Sequence, residues 1–326
     1  MDKTETLELP FPTSLRYDIT LPLCDGRVAI DGVTLRPSPK ITSMVTKDVP
    51  ELREGRFGLL DLNVGFWLAA VDAGWELTAL PVFSKRKPAY QFIFVHADAG
   101  ISSPADLAGK TVGTRQYRTA LSIWARGLLA ERHGVDIRAV RWVAQVPEAF
   151  PNHDKVTRID YVPDSPSIVD RFLAGEVDAL CTDISDAKTL AQLEADPRVR
   201  RLFVDYRAED EALLRATGIY TPVHVIVMSR PLARQHPELA RKLYDGFVKA
   251  KQIAYDDALS DKAGFSVAWQ REILKDQLER YGDLWAYGVA ANRGTIDAFV
   301  RYNADQGVTR TRLPDGAIFA PGTLDT

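Results

Sequence analysis

FIFVHADAGISSPADL, residues Phe92–Leu107, reads as a short apolar strand, a polar loop and a helix start led by Pro104. HVIVMSRPLARQHPELARKL, residues His224–Leu243, reads the same way. About a hundred residues lie between them, with their own alternation of strand and helix patterns. The two segments fit two ordinary βα units. Placed around an α/β insert, they also describe a chain that leaves one lobe, builds a second and returns. That reading predicts an α/β, two-lobed protein with a hinge and an inter-lobe cleft as its ligand site. The expected lobes are 1–97 with 223–326, including a helical C-terminal extension, and 98–222.

Outward from these segments, candidate strands are Arg16–Thr20, Phe57–Leu62, Leu77–Phe83, Phe92–His96, Lys110–Gly113, Ala139–Val143, Asp178–Thr182, Arg201–Val204 and His224–Met228. Helical patterns cover Met44–Glu54, Gly65–Ala73, Pro104–Leu107, Leu121–His133 and Ser167–Ala174, and dominate from Pro231 to Tyr302. Such alternation predicts mostly parallel sheets.

A length of 326 residues suits two lobes better than one core. Hydrophobic residues at 46% and charged residues at 26% are those of an ordinary soluble protein. A net charge of −3 gives no general attraction to nucleic acid or anionic membrane, so any anion site must be local. No apolar run reaches the length of a membrane-spanning helix. The start, MDKTETLELPFPT, shows no basic n-region or apolar h-region, so no secretory signal is read. Cys24 and Cys181 form no CxxC pair, and the five histidines form no HxH or HExxH pattern, so no metal site is expected.

GKTVGTRQYRTALSIWARG, Gly109–Gly127, places a polar knot where a strand hands over to a helix. Leu121, Trp124, Ala125, Leu128 and Leu129 recur at helical spacing, an apolar stripe that predicts packing on a sheet. Thr119 is the better N-cap, and His133-Gly134 marks the helix end. A helix N-terminus offers N–H groups and a positive dipole end to an anion, whereas an arginine there opposes the dipole. Arg115 and Arg118 are therefore either solvated loop charges or the walls of a carboxylate site, to which the guanidinium fork is suited. With no GxGxxG or GxxxxGK(S/T) motif, a small carboxylate fits better than a nucleotide phosphate.

Further motifs run along nearly the whole chain. They are ALPVFSKR (Ala79–Arg86), ISSPADLAGKTVGTRQYRTALSIWARGLL (Ile101–Leu129), GEVDAL (Gly175–Leu180) and TGIYTPVHVIVM (Thr217–Met228), then LWAYGVAANRGTIDAFVRYNADQGVTR (Leu284–Arg310) and IFAPGTL (Ile318–Leu324). In these the chain resembles the 4,5-dihydroxyphthalate decarboxylases, which share the type 2 periplasmic-binding-protein fold. The resemblance implies a cytoplasmic enzyme that decarboxylates a hydroxylated aromatic acid without a cofactor, as family members convert 4,5-dihydroxyphthalate to protocatechuate. Its partner would be a small aromatic carboxylate, and a homo-oligomer stays open. Three stretches depart from the family pattern. LLDLNVGFW has Asp61 at the acidic position and Asn63 at the serine position. SKRKPAYQF keeps Arg86 but lacks a histidine, and CTDISDA puts Asp183 where an arginine-proline motif is usual. These departures leave a related hydroxylated aromatic or heteroaromatic acid open as substrate.

Loss of CO2 from an aryl carboxylate needs ring protonation first. A deprotonated hydroxyl ortho or para to the carboxylate pushes charge to the ipso carbon, which a general acid then protonates. Such a site needs donors for the carboxylate, a base near the phenol and an acid above the ring. Under the resemblance His224 is the first candidate for proton transfer, since it opens the return strand and imidazole titrates near neutral pH. Asp61 takes the phenolic proton, holds a hydroxyl or caps the next helix. Arg86, Arg115 and Arg118 are carboxylate candidates. Tyr117 and Thr119 offer hydroxyl contacts, Tyr117 being equally suited to hinge packing, and Asn63 is a further substrate contact. Asp183 contacts a ring hydroxyl, pairs with an arginine or caps a helix. Trp285, Tyr287, Asn292 and Arg293 point to architecture or a subunit contact. A non-catalytic solute-binding protein for an aromatic carboxylate would share the fold and the arginines. A pyrimidine-precursor synthase would need a histidine- or cysteine-rich iron site, which the spacing does not provide.

Overall fold

The computed structural model describes residues 6–12, 17–38, 49–260 and 266–326. In chain order the strands are β1 (Leu7–Pro12), β2 (Val33–Ser38), β3 (Leu59–Asn63), β4 (Leu77–Ala79), β5 (Lys85–Arg86) and β6 (Ile93–His96). There follow β7 (Thr111–Thr114), β8 (Arg141–Ala144), β9 (Ile159–Tyr161), β10 (Ala179–Cys181), β11 (Val199–Arg201) and β12 (Pro222–Ser229). The chain divides into two compact units. The first is Met1–Arg86, Pro222–Ile296 and Leu313–Thr326; the second is Lys87–Thr221 with Asp297–Arg312.

In the first unit β12 lies between β3 and β4, antiparallel to both, and β5 pairs with it further along. Residues 225–229 of β12 are all buried, as expected of a Val/Ile-rich strand covered on both faces. The helix Leu239–Ser260 turns Leu243, Phe247, Ala250 and Ala254 into the same core as Leu9, Phe11, Ile226 and Met228. Those four helical positions recur at three and four residues, one stripe of a helix. Emptying the Phe247 site by truncation to alanine would cost roughly 3–5 kcal/mol.

In the second unit the strand order is β11-β6-β10-β7-β8-β9. From β10 to β9 the neighbours are parallel, while β6 runs against both β10 and β11. The helix Ala120–His133 begins after Thr119, whose backbone is extended, and ends at Gly134, whose φ of 64° is left-handed and suits glycine. Leu121, Trp124, Ala125, Leu128 and Leu129 are each at most 2% exposed. Trp124 stacks on Phe299 at 4.9 Å between ring centroids. Tyr302 fills the space over Gly127, where an added Cβ would stand 2.2 Å from Tyr302 Cδ2. Asp297–Arg312 therefore completes the core of this unit.

The two segments that suggested two lobes are β6 and β12. Each is the first strand after the chain passes from one unit to the other, and each is antiparallel to its sheet neighbours. The second unit's sheet is consequently mixed and the pairings of β12 are all antiparallel, rather than mostly parallel, because a strand that enters without a βαβ crossover is not bound to its neighbours' direction. The first passage falls at Arg86–Lys87 instead of after residue 97, since β6 pairs with β10 and β11. The segment Asp297–Arg312, expected in the first lobe, belongs to the second unit.

Other expectations shift locally. The strand expected at Arg16–Thr20 is a 3₁₀ turn over Asp18–Thr20, drawn into the helix Leu21–Cys24 that Pro22 favours; Arg16 lies outside the described residues. The helix expected over Met44–Glu54 is Pro50–Arg53, and residues 44–48 lie outside the described residues. β1 carries prolines at positions 10 and 12, which argue against a strand, yet among the described residues it pairs with β2 alone and so loses no second ladder. No helix among the described residues is long and apolar enough to cross a membrane.

Candidate functional site

In the first unit β12 pairs His224 with Asn63 and Ile226 with Asp61, so these side chains share one face of the sheet. His224 reaches along that face to Asp61, with Nδ1 2.8 Å from Oδ2. The Tyr17 hydroxyl donates to the same Oδ2 at 3.1 Å, and the Ser84 hydroxyl donates to Oδ1 at 2.5 Å. Asp61 is 0% exposed, and three converging donors make a sealed carboxylate tolerable. An ionised carboxylate only accepts, so Nδ1 carries the hydrogen and Nε2 of the neutral ring presents a lone pair. The His224 side chain keeps 16% exposure, so part of the ring meets solvent while its partner does not. Burial, with Asp61 alongside, pushes the Tyr17 hydroxyl well above the usual tyrosine range, so it donates as a neutral phenol.

Asp61 does not cap the next helix. That task falls to Asn63, expected as a substrate contact, whose Oδ1 accepts the Gly65 N–H at 3.0 Å. On the other side of β12, Lys85 of β5 stands opposite His224, next to a register irregularity. Arg86, 6% exposed, donates from Nη2 to Asn292 Oδ1 at 2.6 Å and to the Ala286 carbonyl at 3.1 Å. Asn292 in turn donates to the carbonyls of Ala286 and Gly288 at 2.9 and 2.8 Å. Arg86 is thus built into the stretch 286–292, and the architectural role expected of Asn292 consists in holding it.

The arginine–tyrosine knot lies in the second unit and separates into distinct tasks. Arg118 is 3% exposed and donates from Nη2 to the carbonyls of Phe150 and Pro151 at 3.0 and 3.3 Å. Its backbone N–H donates to Glu148 Oε1 at 2.9 Å, its Nε stands 3.8 Å from Oε2, and Gln116 donates to Oε2 at 3.2 Å. Burial pushes the Glu148 carboxyl above its usual range against the pull of Arg118. The knot does meet a carboxylate, but it is the chain's own Glu148. Tyr117 is 0% exposed, meets the Trp142 ring edge-on at 5.9 Å and carries the Arg126 guanidinium 3.6 Å over its ring. It packs the core rather than offering a hydroxyl to a ligand. Thr119 sits at the N-cap position, yet its hydroxyl donates to Ser122 Oγ at 2.8 Å instead of accepting a helix N–H. Arg115 alone of the knot is exposed, with its backbone N–H on Thr182 Oγ1 at 3.0 Å. Asp183 pairs with Lys87 rather than an arginine, and the following helix is capped by Asp186.

The structure brings His224 and Asp61, both candidates from the sequence, together with Tyr17 and Ser84, which the sequence did not single out, and sets Lys85 opposite His224 in the sheet. Ser84 and Lys85 lie inside the quoted ALPVFSKR motif, where a signal was present. Tyr17 sits 44 residues before Asp61 in chain order, with no spacing to mark it.

Residues 33–271 match the family described as ABC transporter, phosphonate, periplasmic substrate-binding protein. The chain belongs to that family. It is 27% identical over 328 residues to a 4,5-dihydroxyphthalate decarboxylase of Comamonas testosteroni, covering 95% of this chain and 96% of the relative. The periplasmic aliphatic sulphonate binding protein of Escherichia coli aligns with a TM-score of 0.57 at 14% identity, over 99% of both chains. A desulfurization enzyme aligns with a TM-score of 0.51 at 16% identity, over 98% of both chains. The fold is accordingly that of the periplasmic binding proteins, and it does not by itself decide between binding and catalysis.

Proposed function

We propose that this member of the phosphonate-binding family is a carboxy-lyase that removes CO2 from a hydroxylated aromatic acid such as 4,5-dihydroxyphthalate, without metal or cofactor. The observation that carries the reading is the contact between His224 Nδ1 and the sealed carboxylate of Asp61. It fixes the ring so that Nε2 is the atom left for proton exchange. The likeness to a decarboxylase over nearly the full chain supports the same reading.

In this scheme the substrate phenol gives its proton to solvent and its charge moves to the carbon that bears the carboxylate, the phenolate left after CO2 departs taking a proton back. The His224 imidazolium gives its Nε2 proton to that carbon, while Asp61 stabilises the imidazolium from the Nδ1 side. The resulting non-aromatic carboxylate breaks its C–C bond, CO2 leaves, and the electron pair restores the ring. One proton is consumed in each turnover, so His224 must be reprotonated from solvent, which its partial exposure permits. Lys85, the backbone partner of His224 across β5 and β12, is the candidate for a positive charge near the reacting group. A cytoplasmic location goes with this reading, and cell fractionation checks it.

The decisive test is incubation of the purified protein with 4,5-dihydroxyphthalate and related hydroxybenzoates in deuterium oxide. CO2 release with one deuterium at the ipso carbon is the expected result. Turnover should survive dialysis against a chelator, and loss restored by a divalent ion would remove the metal-free scheme. The fold of the sulphonate-binding neighbour favours a second reading, a solute-binding protein for an aromatic carboxylate. Tight binding of these acids with no CO2 from any of them would establish it.

A further inference from the structure

Asp61 does not hold His224 alone. Its Oδ1 is fixed by the Ser84 hydroxyl at 2.5 Å, and its Oδ2 is shared between His224 Nδ1 at 2.8 Å and the Tyr17 hydroxyl at 3.1 Å. The three donors come from three parts of the first unit: the turn before residues 18–20, the run that leads into β5, and β12. Without Ser84 the carboxylate could turn about its Cβ–Cγ bond. Without Tyr17 the full charge of Oδ2 would fall on the imidazole.

We propose that Tyr17 and Ser84 are positioning residues for His224, acting through Asp61. Ser84 locks the carboxylate plane, and Tyr17 takes up part of the charge on Oδ2. Together they keep His224 able to release its proton instead of trapping it as a permanent ion pair. The proposal rests on reading His224 as the proton carrier. Among the described residues, Asp61 on β3 touches the ring, Tyr17 reaches it through Asp61, and Lys85 on β5 is the backbone partner of His224. Asn63, on the β3 side, is neutral. Hydrogen bonds to the charged form stabilise it, so each hydroxyl makes Asp61 a weaker attractor of the imidazolium proton. Removing a hydroxyl should make the ring hold its proton to higher pH.

The test is an NMR titration of the His224 Cε1–H signal in the full protein, the signal being identified by its loss in His224→Gln. In Tyr17→Phe and Ser84→Ala the midpoint should rise by about half to one pH unit. Ser84→Thr, which keeps a hydroxyl, should titrate like the parent. In the pH profile of kcat/KM the limb that reports His224 should move by the same amount, with kcat falling more than KM rises. A midpoint that stays in place or falls in both variants overturns the proposal, even where stability drops. If either variant fails to fold, the other and the Ser84→Thr control carry the same comparison. The titration needs no turnover, so a shifted midpoint with no CO2 from any acid would uphold the relay and remove the decarboxylase reading.

Discussion

Arg118 and Glu148 hold each other at two points, the Arg118 backbone N–H on Oε1 at 2.9 Å and Nε at 3.8 Å from Oε2. Both side chains are nearly sealed, at 2% and 5% exposure. An arginine engaged in this way shapes the loop under it rather than waiting for a ligand. Arg118→Met would leave Glu148 buried without its guanidinium and cost about 3–5 kcal/mol. Urea denaturation should show the loss, addition of benzoate-type anions should not repair it, and Glu148→Gln in the same chain should recover part of it. A variant with parental stability and only weakened ligand affinity would return Arg118 to the anion-site role.

The His224–Asp61 contact predicts a different kind of damage. His224→Gln should lower kcat/KM about 10²- to 10⁴-fold, the range for loss of a general acid or base. Asp61→Asn should approach it, because an amide can turn its NH2 toward the ring and favour the wrong tautomer. Both are read from initial rates at saturating and limiting substrate. A His224→Gln protein with undiminished kcat would take proton transfer away from this residue.

Gly127 tests the packing of the second unit. Gly127→Ala sets a methyl group against the Tyr302 ring, and the overpacking should cost about 1–3 kcal/mol. Combining it with Tyr302→Leu should cost less than the sum of the two changes, since the same space is contested. Chemical denaturation of the four proteins completes the cycle.

Asp210 predicts a pH dependence of stability. Its Oδ1 accepts the Ala89 N–H at 3.1 Å, and burial pushes its carboxyl up to about 7. A carboxyl raised on folding contributes stability below its unfolded value, near pH 4, and that contribution is lost as pH rises through about 7. Asp210→Asn should remove this slope, leaving a difference from the parent of at most about 4 kcal/mol between the two ends. Denaturation midpoints at pH 4.5 and pH 8 (roughly the two ends of that window) measure it. Equal slopes in parent and variant would refute it.

How much could be read without coordinates follows from what each signal encodes. The stripe Leu121–Leu129 and the glycine at 134 gave the helix Ala120–His133 almost to the residue, because periodicity and cap are local. The paired segments at Phe92 and His224 marked both crossing strands. Their direction was illegible, since a strand's sequence does not say which way its neighbours run. The arginines of the knot show the same limit. Spacing put Arg115, Arg118 and Tyr117 together, but only the fold sends Arg118 to Glu148 and Tyr117 under Arg126. Asp61 and His224 stood out through the family resemblance, Asp61 at the acidic position after its strand and His224 at the start of the return strand. Tyr17 and Ser84 were hidden because a hydroxyl is ordinary anywhere and tertiary contact alone brings them to Asp61.

The return of Asp297–Arg312 to the second unit has a consequence for how the protein is made. Arg126 is fully buried, and its Nε–H donates at 2.8 Å to Gln306, 180 residues further along the chain. Gln306 also donates to the Ile123 carbonyl at 2.9 Å. Synthesis delivers Arg126 long before the group that satisfies it, and Trp124 long before Phe299. A nascent chain ending before residue 297 therefore carries an unfinished core with a guanidinium and an indole awaiting their partners. The first unit in turn draws on Leu313–Thr326. Translation cannot finish one unit and then begin the other; both close on the same late stretch of polypeptide.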